Sequence, residues 1–396
     1  MRHIKRIMKG KYFKQYTTIA LVLLVGLVLL LTAPWQSYDE APEPMPEPTP
    51  DEPTPEPIQA ATPAPPPTHE PDSFPDPGPM PELMTGQENP LTGLPMSEDA
   101  SPDNRPLAIV MANTTDALPM NGASDADILY ELLVEGGITR MLGIFQDHSN
   151  LGKIGSVRSI RHYTVEIAAS YDAILFASGG SEPAIIEVKN QNVTFFQEGG
   201  NGGNLFRRDS GRIPGRSVGH VHSVIVVGDR LAQNLPDRVS RMEHESDFKQ
   251  ALTFSDNATP ASGSDATDIV VSFPGGKNTM FTYNSAENVY YMRQYNRDFI
   301  DANNEKHVSF ANVIVLRTPI SALSGQYAGA GRRDMSTVGS GDGYLAHGGK
   351  YIEIKWSRPD KASQFVYTLK DGSELELGRG TTYIGITSTN TNVTFK

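Results

Sequence analysis

Eighteen of the chain's 30 prolines fall between residues 34 and 88, and that segment divides what can fold from what cannot. The prolines alternate with Glu, Asp, Thr and Ala, and almost no large apolar side chain is available to bury. Such a composition cannot offset the entropy of ordering a chain, so residues 36–88 are expected to be a disordered Pro/Glu stalk. Proline-rich chain favours polyproline II at roughly 3.1 Å per residue, a reach on the order of 150 Å. Twelve carboxylates with no Lys or Arg between residues 34 and 88 extend it further by self-repulsion. A globular body can therefore begin only near Asn89.

Upstream, residues 17–33 (TTIALVLLVGLVLLLTA) are uncharged and strongly apolar, near the lower length limit for a membrane-spanning helix. Six Lys/Arg and no acid occupy residues 1–33, all the cations lying before the apolar run. The positive-inside rule then places residues 1–16 in the cytoplasm as a basic tail. Residues 17–35 are expected to be a single-pass transmembrane anchor, with the cell membrane as partner and the body extracellular. A cleaved signal peptide is the rival reading, and Pro34 after Ala33 disfavours the cut.

The net charge of -12 is unevenly spread, and residues 89–396 hold 28 basic and 34 acidic side chains. So mild a balance carries no electrostatic footprint for nucleic acid. The sequence has no cysteine, which excludes disulfides, thiolate catalysis and Cys-held metals. No HExxH motif occurs, and no metal, cofactor or Ser-His-Asp site is predicted.

The body is expected to be α+β: a mixed α/β domain over residues 89–254, a linker at 255–268 and a mostly antiparallel β domain over 269–396. Arg105–Asn113 and Asp172–Ser178 are short apolar runs of buried-strand type. Asp127–Val134 and Ile138–Gln146 flank Gly136-Gly137 as a hairpin. Helices are predicted over Ser159–Ser170 and Glu182–Lys189, the latter capped by Ser181. Beyond the Ser255–Asp268 linker, strand-like runs separated by Gly275-Gly276, Gly348-Gly349 and Asp371-Gly372 dominate.

The richest chemistry lies between Tyr130 and Tyr163, YELLVEGGITRMLGIFQDHSNLGKIGSVRSIRHY. Arg158 and Arg161 are three apart and share a face if helical. Ser156 or Ser159 is placed to cap that helix, and Arg140 and Lys153 to join through the fold. Guanidinium forks at a helix N-terminus suit phosphate or carboxylate. Glu131 and Glu135 share one side of a strand, and the same arginines are equally suited to pair with them and tie hairpin to helix. His220 and His222 have strand spacing but no third metal ligand; a surface loop explains them as well. Asp209, after Arg207-Arg208, is a possible acid or a solvated turn residue. Gly339–Gly343, GSGDG, lacks the Lys-Ser/Thr of a phosphate loop and is read as a hairpin turn.

In blocks the chain resembles the YerB-like family of bacterial lipoproteins, an N- and C-terminal pair of domains of unknown function. The blocks are NPLTGLP (Asn89–Pro95), RPLAIVMAN (Arg105–Asn113), ADILYELLVEGGITRMLGIFQ (Ala126–Gln146), KIGSVRSIRHY (Lys153–Tyr163) and YDAILFASGGS (Tyr171–Ser181). FRRD (Phe206–Asp209), ANVIVL (Ala311–Leu316) and GSGDGYLAHGGKYIEIKWSR (Gly339–Arg358) continue them. The resemblance implies an extracytoplasmic, cell-envelope protein with two family domains. Two departures stand out: there is no cysteine for a lipid, and the family's Pro-His-Asn-apolar-Tyr block is represented only by His222 in Val221-His222-Ser223-Val224-Ile225. A looser similarity to LytR-CpsA-Psr-type enzymes, which transfer glycopolymers from polyprenyl phosphate, falls on Arg140, Arg158, Arg161 and Gly179-Gly180.

Two functions follow as expectations, and the sequence does not decide whether the protein is an enzyme. One is an envelope binding or scaffolding protein with a polar Glu/Arg pocket formed by Arg140, Lys153, Arg158, Arg161, Glu131, Glu135, Asp209 and His222. The other is an enzyme acting on a polyprenyl-phosphate-linked glycan. Cell-wall glycan or a phosphate-linked lipid is the expected ligand in either case.

Overall fold

The computed structural model describes residues 86–258, 260 and 262–396. Its main feature is an eleven-stranded sheet whose strands come from both ends of the body. The order begins with Ser264–Asp265, Lys350–Arg358, Gly339–His347, Asn312–Thr318 and Thr382–Ser388. It continues through Ile128–Leu133, Thr139–Phe145, Leu107–Asn113, Ile174–Ala177 and Phe195–Gln197, with Val366–Leu369 paired to Lys350–Arg358.

The Thr382–Ser388 strand is the seam. It runs parallel to Asn312–Thr318 on one side and to Ile128–Leu133 on the other. Every one of its residues is buried, as are all those of Leu107–Asn113, Ile128–Leu133 and Thr139–Phe145. Strands covered on both faces read as unbroken apolar runs rather than alternating ones, and the first six residues of LAIVMAN fit that rule. One face is covered by a six-stranded sheet built on Asp268–Ser272, Asn278–Asn284 and Val289–Gln294. Phe281 of that sheet meets Tyr383 edge-on, with ring centroids 4.7 Å apart. Tyr130 and Tyr171 join across the opposite face, their hydroxyls 2.8 Å apart, beneath the helix His162–Ser170.

The α+β expectation, an N-terminal mixed α/β domain followed by a mostly antiparallel β domain, is corrected by this architecture. The described structure is mostly β, with three α-helices, His162–Ser170, Glu182–Asn190 and Gly228–Asn234. None of its helices is long and apolar enough to cross a membrane. The tail, the anchor expected at 17–35 and nearly all of the stalk fall outside the described residues. Predicted strands and helices of residues 89–254 exist, but strand pairing takes the apolar runs because a second sheet, not a layer of helices, covers the face they present. The helix predicted from Ser159 starts at His162, because Arg158 and Ile160 are used in extended backbone pairing with Val110 and Gly180.

The hairpin through Gly136-Gly137 forms with Glu131 opposite Met141 and Leu132 opposite Arg140. Gly137 has φ +73°, and a Cβ there would sit 3.1 Å from the Gly275 Cα, so a hairpin tip and a turn of the second sheet meet through two glycines. GSGDG is not a turn: it lies within the strand Gly339–His347, and the hairpin turns at Gly348-Gly349. Gly341 is required there by the indole of Trp356, which a Cβ would approach to 2.6 Å.

Asp172 fastens the later loop to this frame. Its carboxylate meets Arg241 at 2.6 Å, His244 at 3.1 Å and Arg105 at 3.3 Å. Burial alone would raise the Asp172 carboxyl, but the hydrogen bonds from His244 and Arg241 and the charge of Arg105 bring it down to about 2. A depressed carboxyl contributes stability that is complete above its unfolded value near 4 and lost as pH falls towards 2. Denaturation between pH 5 and 2 should therefore show about 2 kcal/mol of acid-dependent loss that Asp172→Asn removes. Ile384, 1% exposed at the seam, tests the shared sheet: Ile384→Ala should cost about 2–5 kcal/mol. Chemical unfolding followed at probes in both halves should remain one transition, whereas loss confined to one half would contradict a shared sheet.

Candidate functional site

Glu131 and Glu135 do not act together. Cross-strand partners share a face, so Arg140, opposite Leu132, points away from the face carrying Glu131. Glu131 is fully buried and its oxygens receive Lys277 Nζ at 2.9 Å, Thr139 Oγ1 at 2.6 Å, Thr279 Oγ1 at 2.7 Å, Tyr383 Oη at 2.8 Å and Asn113 Nδ2 at 3.1 Å. Burial works to raise this carboxyl, but the Lys277 ammonium and the hydroxyl donors outweigh it and hold it below the ordinary glutamate range. Glu131 is thus an internal clasp between the sheets and has no part in the arginine cluster.

Glu135 lies past the strand's end, in the short turn Glu135–Gly137, so strand parity no longer governs it. It takes Arg161 in a two-pronged bond, Nε at 2.7 Å and Nη2 at 2.6 Å. Burial would raise Glu135, yet the Arg161 hydrogen bonds keep it low. Arg161 is the N-cap of the helix His162–Ser170, its N–H donating to Thr164 Oγ1 at 2.9 Å.

Arg140 is buried beneath this pair and donates to the Ser159 carbonyl at 2.6 Å. Its guanidinium is pushed down to about 10, first by burial and then by the neighbouring Arg161 charge. Arg158 lies in extended chain ahead of the helix rather than on its face. It is half-buried, donates to the Val221 carbonyl at 2.8 Å, and has no carboxylate partner among the described residues. Burial, followed by the Arg161 charge, lowers it as well.

Lys153 and Asp209 form a separate pair. Asp209 receives Lys153 at 3.0 Å and Arg207 at 3.1 Å, and the Lys153 hydrogen bond holds its carboxyl low. His220 and His222 occupy a single 3-10 turn instead of a strand. His222 is half-buried with an enclosed, unpartnered Nδ1, and its imidazole is lowered by burial and then by the charge of Arg158. Among the described residues no three His, Asp or Glu side chains are grouped to hold a metal. Arg208 contacts the His220 carbonyl at 2.8 Å and Glu198 at 3.1 Å.

The residues missed by sequence are Lys277, Tyr383 and Arg212. Arg212 is 2% exposed and directs its donors at the Ala117, Pro119 and His222 carbonyls and Asn121 Oδ1, holding three loops together without a carboxylate. Burial, then Arg216, lowers it to about 10. Irregular loops leave carbonyls without ladder partners, and no residue pattern announces which arginine fills them. A cavity of about 710 Å³ bordered by Tyr351, Glu353, Lys370 and Glu374 takes in none of the candidate residues.

Two family models match the chain, each described as a protein of unknown function, DUF3048: the N-terminal domain over residues 91–238 and the C-terminal domain over residues 269–384. A curated relative from Bacillus subtilis (strain 168), named "Putative lipoprotein YerB", is 26% identical over 308 residues, covering 78% of this chain and 88% of that protein. The crystal structure of YerB from Bacillus subtilis superposes with a TM-score of 0.63 at 25% identity, covering 76% of this chain and 96% of that one.

The Glu131 clasp yields a direct test. Glu131→Gln leaves Lys277, only 4% exposed, without its counter-charge, and should cost about 3–5 kcal/mol in urea unfolding. The paired change Glu131→Leu with Lys277→Met should recover much of that loss, because no uncompensated charge remains buried.

Proposed function

Given that the chain belongs to the DUF3048 family, with its YerB-like N- and C-terminal domains, we propose that it is a cell-envelope binding protein that takes an anionic group at Arg158. One observation carries this reading. Arg158 is half-exposed, has no carboxylate among the described residues, and stands beside Arg140 and Arg161, which only repel it. A cation left uncompensated among cations is a cost to the fold that a bound anion removes. The guanidinium fork suits the planar or tetrahedral oxygens of carboxylate or phosphate.

A place at the outer face of the membrane is supported by the relative's printed name, lipoprotein. This chain's own 396 residues include no cysteine to carry a lipid. A cell-wall glycan or a phosphate-linked lipid supplies the anion in such a setting. A transferase acting on a polyprenyl-phosphate-linked glycan needs a proton acceptor near neutral pH. The two carboxylates nearest that role, Glu135 and Asp209, are bonded to Arg161 and to Lys153 and Arg207, and both are held low. Binding is therefore the better reading.

The test is calorimetric titration of the full chain with inorganic phosphate. Arg158→Ala should weaken binding at least tenfold, about 1.4 kcal/mol, with the thermal unfolding temperature not lowered. Equal binding by wild type and variant would end the proposal.

A further inference from the structure

The loop that Asp172 fastens also presents an aromatic ring. His244, bonded to Asp172 through Nδ1 at 3.1 Å, lies flat on Phe248, with ring centroids 3.8 Å apart and planes 7° from parallel. Phe248 is half-buried but stands outside the hydrophobic core. It borders two clefts, of about 480 and 490 Å³. The first is walled on its other side by the loop 359–364. Fully buried Arg358 holds that loop, donating to the Lys361 carbonyl at 2.6 Å and the Ser363 carbonyl at 2.7 Å. Gln364, 8% exposed, accepts the Ala251 N–H at 2.9 Å and so ties the two walls together. Its enclosed Nε2 donates to nothing among the described residues. Both walls are fixed before a ligand arrives, which keeps loop ordering out of the cost of binding.

We infer that this cleft binds a neutral sugar ring stacked on Phe248, at a site separate from Arg158. The chemistry of the lining selects that class. His244 covers one face of Phe248, so the exposed part of the ring is its other face and its edge. The C–H bonds on one face of a pyranose carry partial positive charge, which the negative face of an aromatic ring attracts. The lining holds the carboxylates Asp172, Glu245 and Asp247 and the cations Arg241 and Lys249, with Arg105 3.3 Å behind Asp172. Asp172 and Glu245 are already bonded to Arg241. On the loop, Asp360 takes the Ala362 and Ser363 N–H groups, and Lys361 is spent on Glu166 and Glu187. No strong excess of either sign remains to select an anion or a cation. A hydroxyl both donates and accepts. Vicinal sugar hydroxyls therefore match a mixed rim, in which Lys249 and the Gln364 amide donate and Asp247 accepts.

The probes are cellotriose, N-acetylated chitotriose, trialanine and trilysine, each titrated into the full chain and read by saturation-transfer NMR of the ligand. At least one sugar should bind, with the strongest saturation on the protons of one pyranose face. Phe248→Leu, which keeps an apolar side chain but removes the aromatic face, should weaken that binding about tenfold, whereas Phe248→Tyr should stay within about threefold of wild type. Arg158→Ala should leave sugar binding unchanged, because the two sites are separate. An unchanged melting temperature identifies folded protein. Should Phe248→Leu unfold, the wild-type saturation pattern decides, since saturation spread evenly over both pyranose faces excludes stacking. Binding of neither sugar, equal binding by Phe248→Leu, or tighter binding of either peptide than of the sugars overturns the inference and leaves the Arg158 reading untouched. Loss of sugar binding in Arg158→Ala would put the sugar at the anion site and overturn it as well.

Discussion

The buried contact between Glu131 and Lys277 is the constraint around which the rest is arranged. Glu131 sits at the centre of the main sheet and Lys277 enters from the second, 2.9 Å away, with Thr139, Thr279, Tyr383 and Asn113 taking up the remaining acceptor capacity. Charges in an apolar interior are tolerated only when paired and hydrogen-bonded. This pair therefore permits one relative placement of the sheets: a shift of one residue along Ile128–Leu133 would send Glu131 to the other face. Tyr383 belongs to the Thr382–Ser388 strand, so the same clasp secures the seam where late and early parts of the chain share a sheet.

The second feature is an imbalance. Some charges elsewhere are matched, as Asp172 is with Arg241 and Arg105, and Asp209 with Lys153 and Arg207, while Arg212 is held by carbonyls and an amide oxygen. Around the start of the helix His162–Ser170 they are not. Arg140 is buried with a carbonyl for company, Arg158 half-exposed with another, and only Arg161 has its carboxylate. Burial without counter-charge lowers the stability of a cation, and here the fold gathers such cations where a hairpin turn and a helix start meet.

Strand-forming runs were legible because parity and apolar content suffice to identify them: RPLAIVMAN, the Gly136-Gly137 hairpin and DAILFAS all form as expected. The mistaken α+β assignment came from counting short helices as a layer. Their number is visible in sequence, but what covers a sheet is not, since either helices or a second sheet can bury the same apolar strand face. The arginine block was visible as a cluster of residue types, yet its partners were misassigned. Glu131 and Glu135 have matching parity only while the strand continues, and it stops at Leu133. Arg158 and Arg161 share a face only on a helix, and the helix begins after them.

What the sequence by itself determined is which segments are apolar enough to become strands, and that a carboxylate-and-arginine stretch precedes a helix. Those properties are local: composition, periodicity and glycine placement act within a few residues. Only the tertiary structure decided that Glu131 belongs to Lys277, that Arg161 takes Glu135, that Arg158 has no carboxylate among the described residues, and that Asp334 meets His162. Asp334 lies 172 residues beyond His162 in the chain and Lys277 lies 146 beyond Glu131. Ion pairing falls steeply with distance in space and is blind to distance along the chain, so the choice of partner is made only when the sheets close.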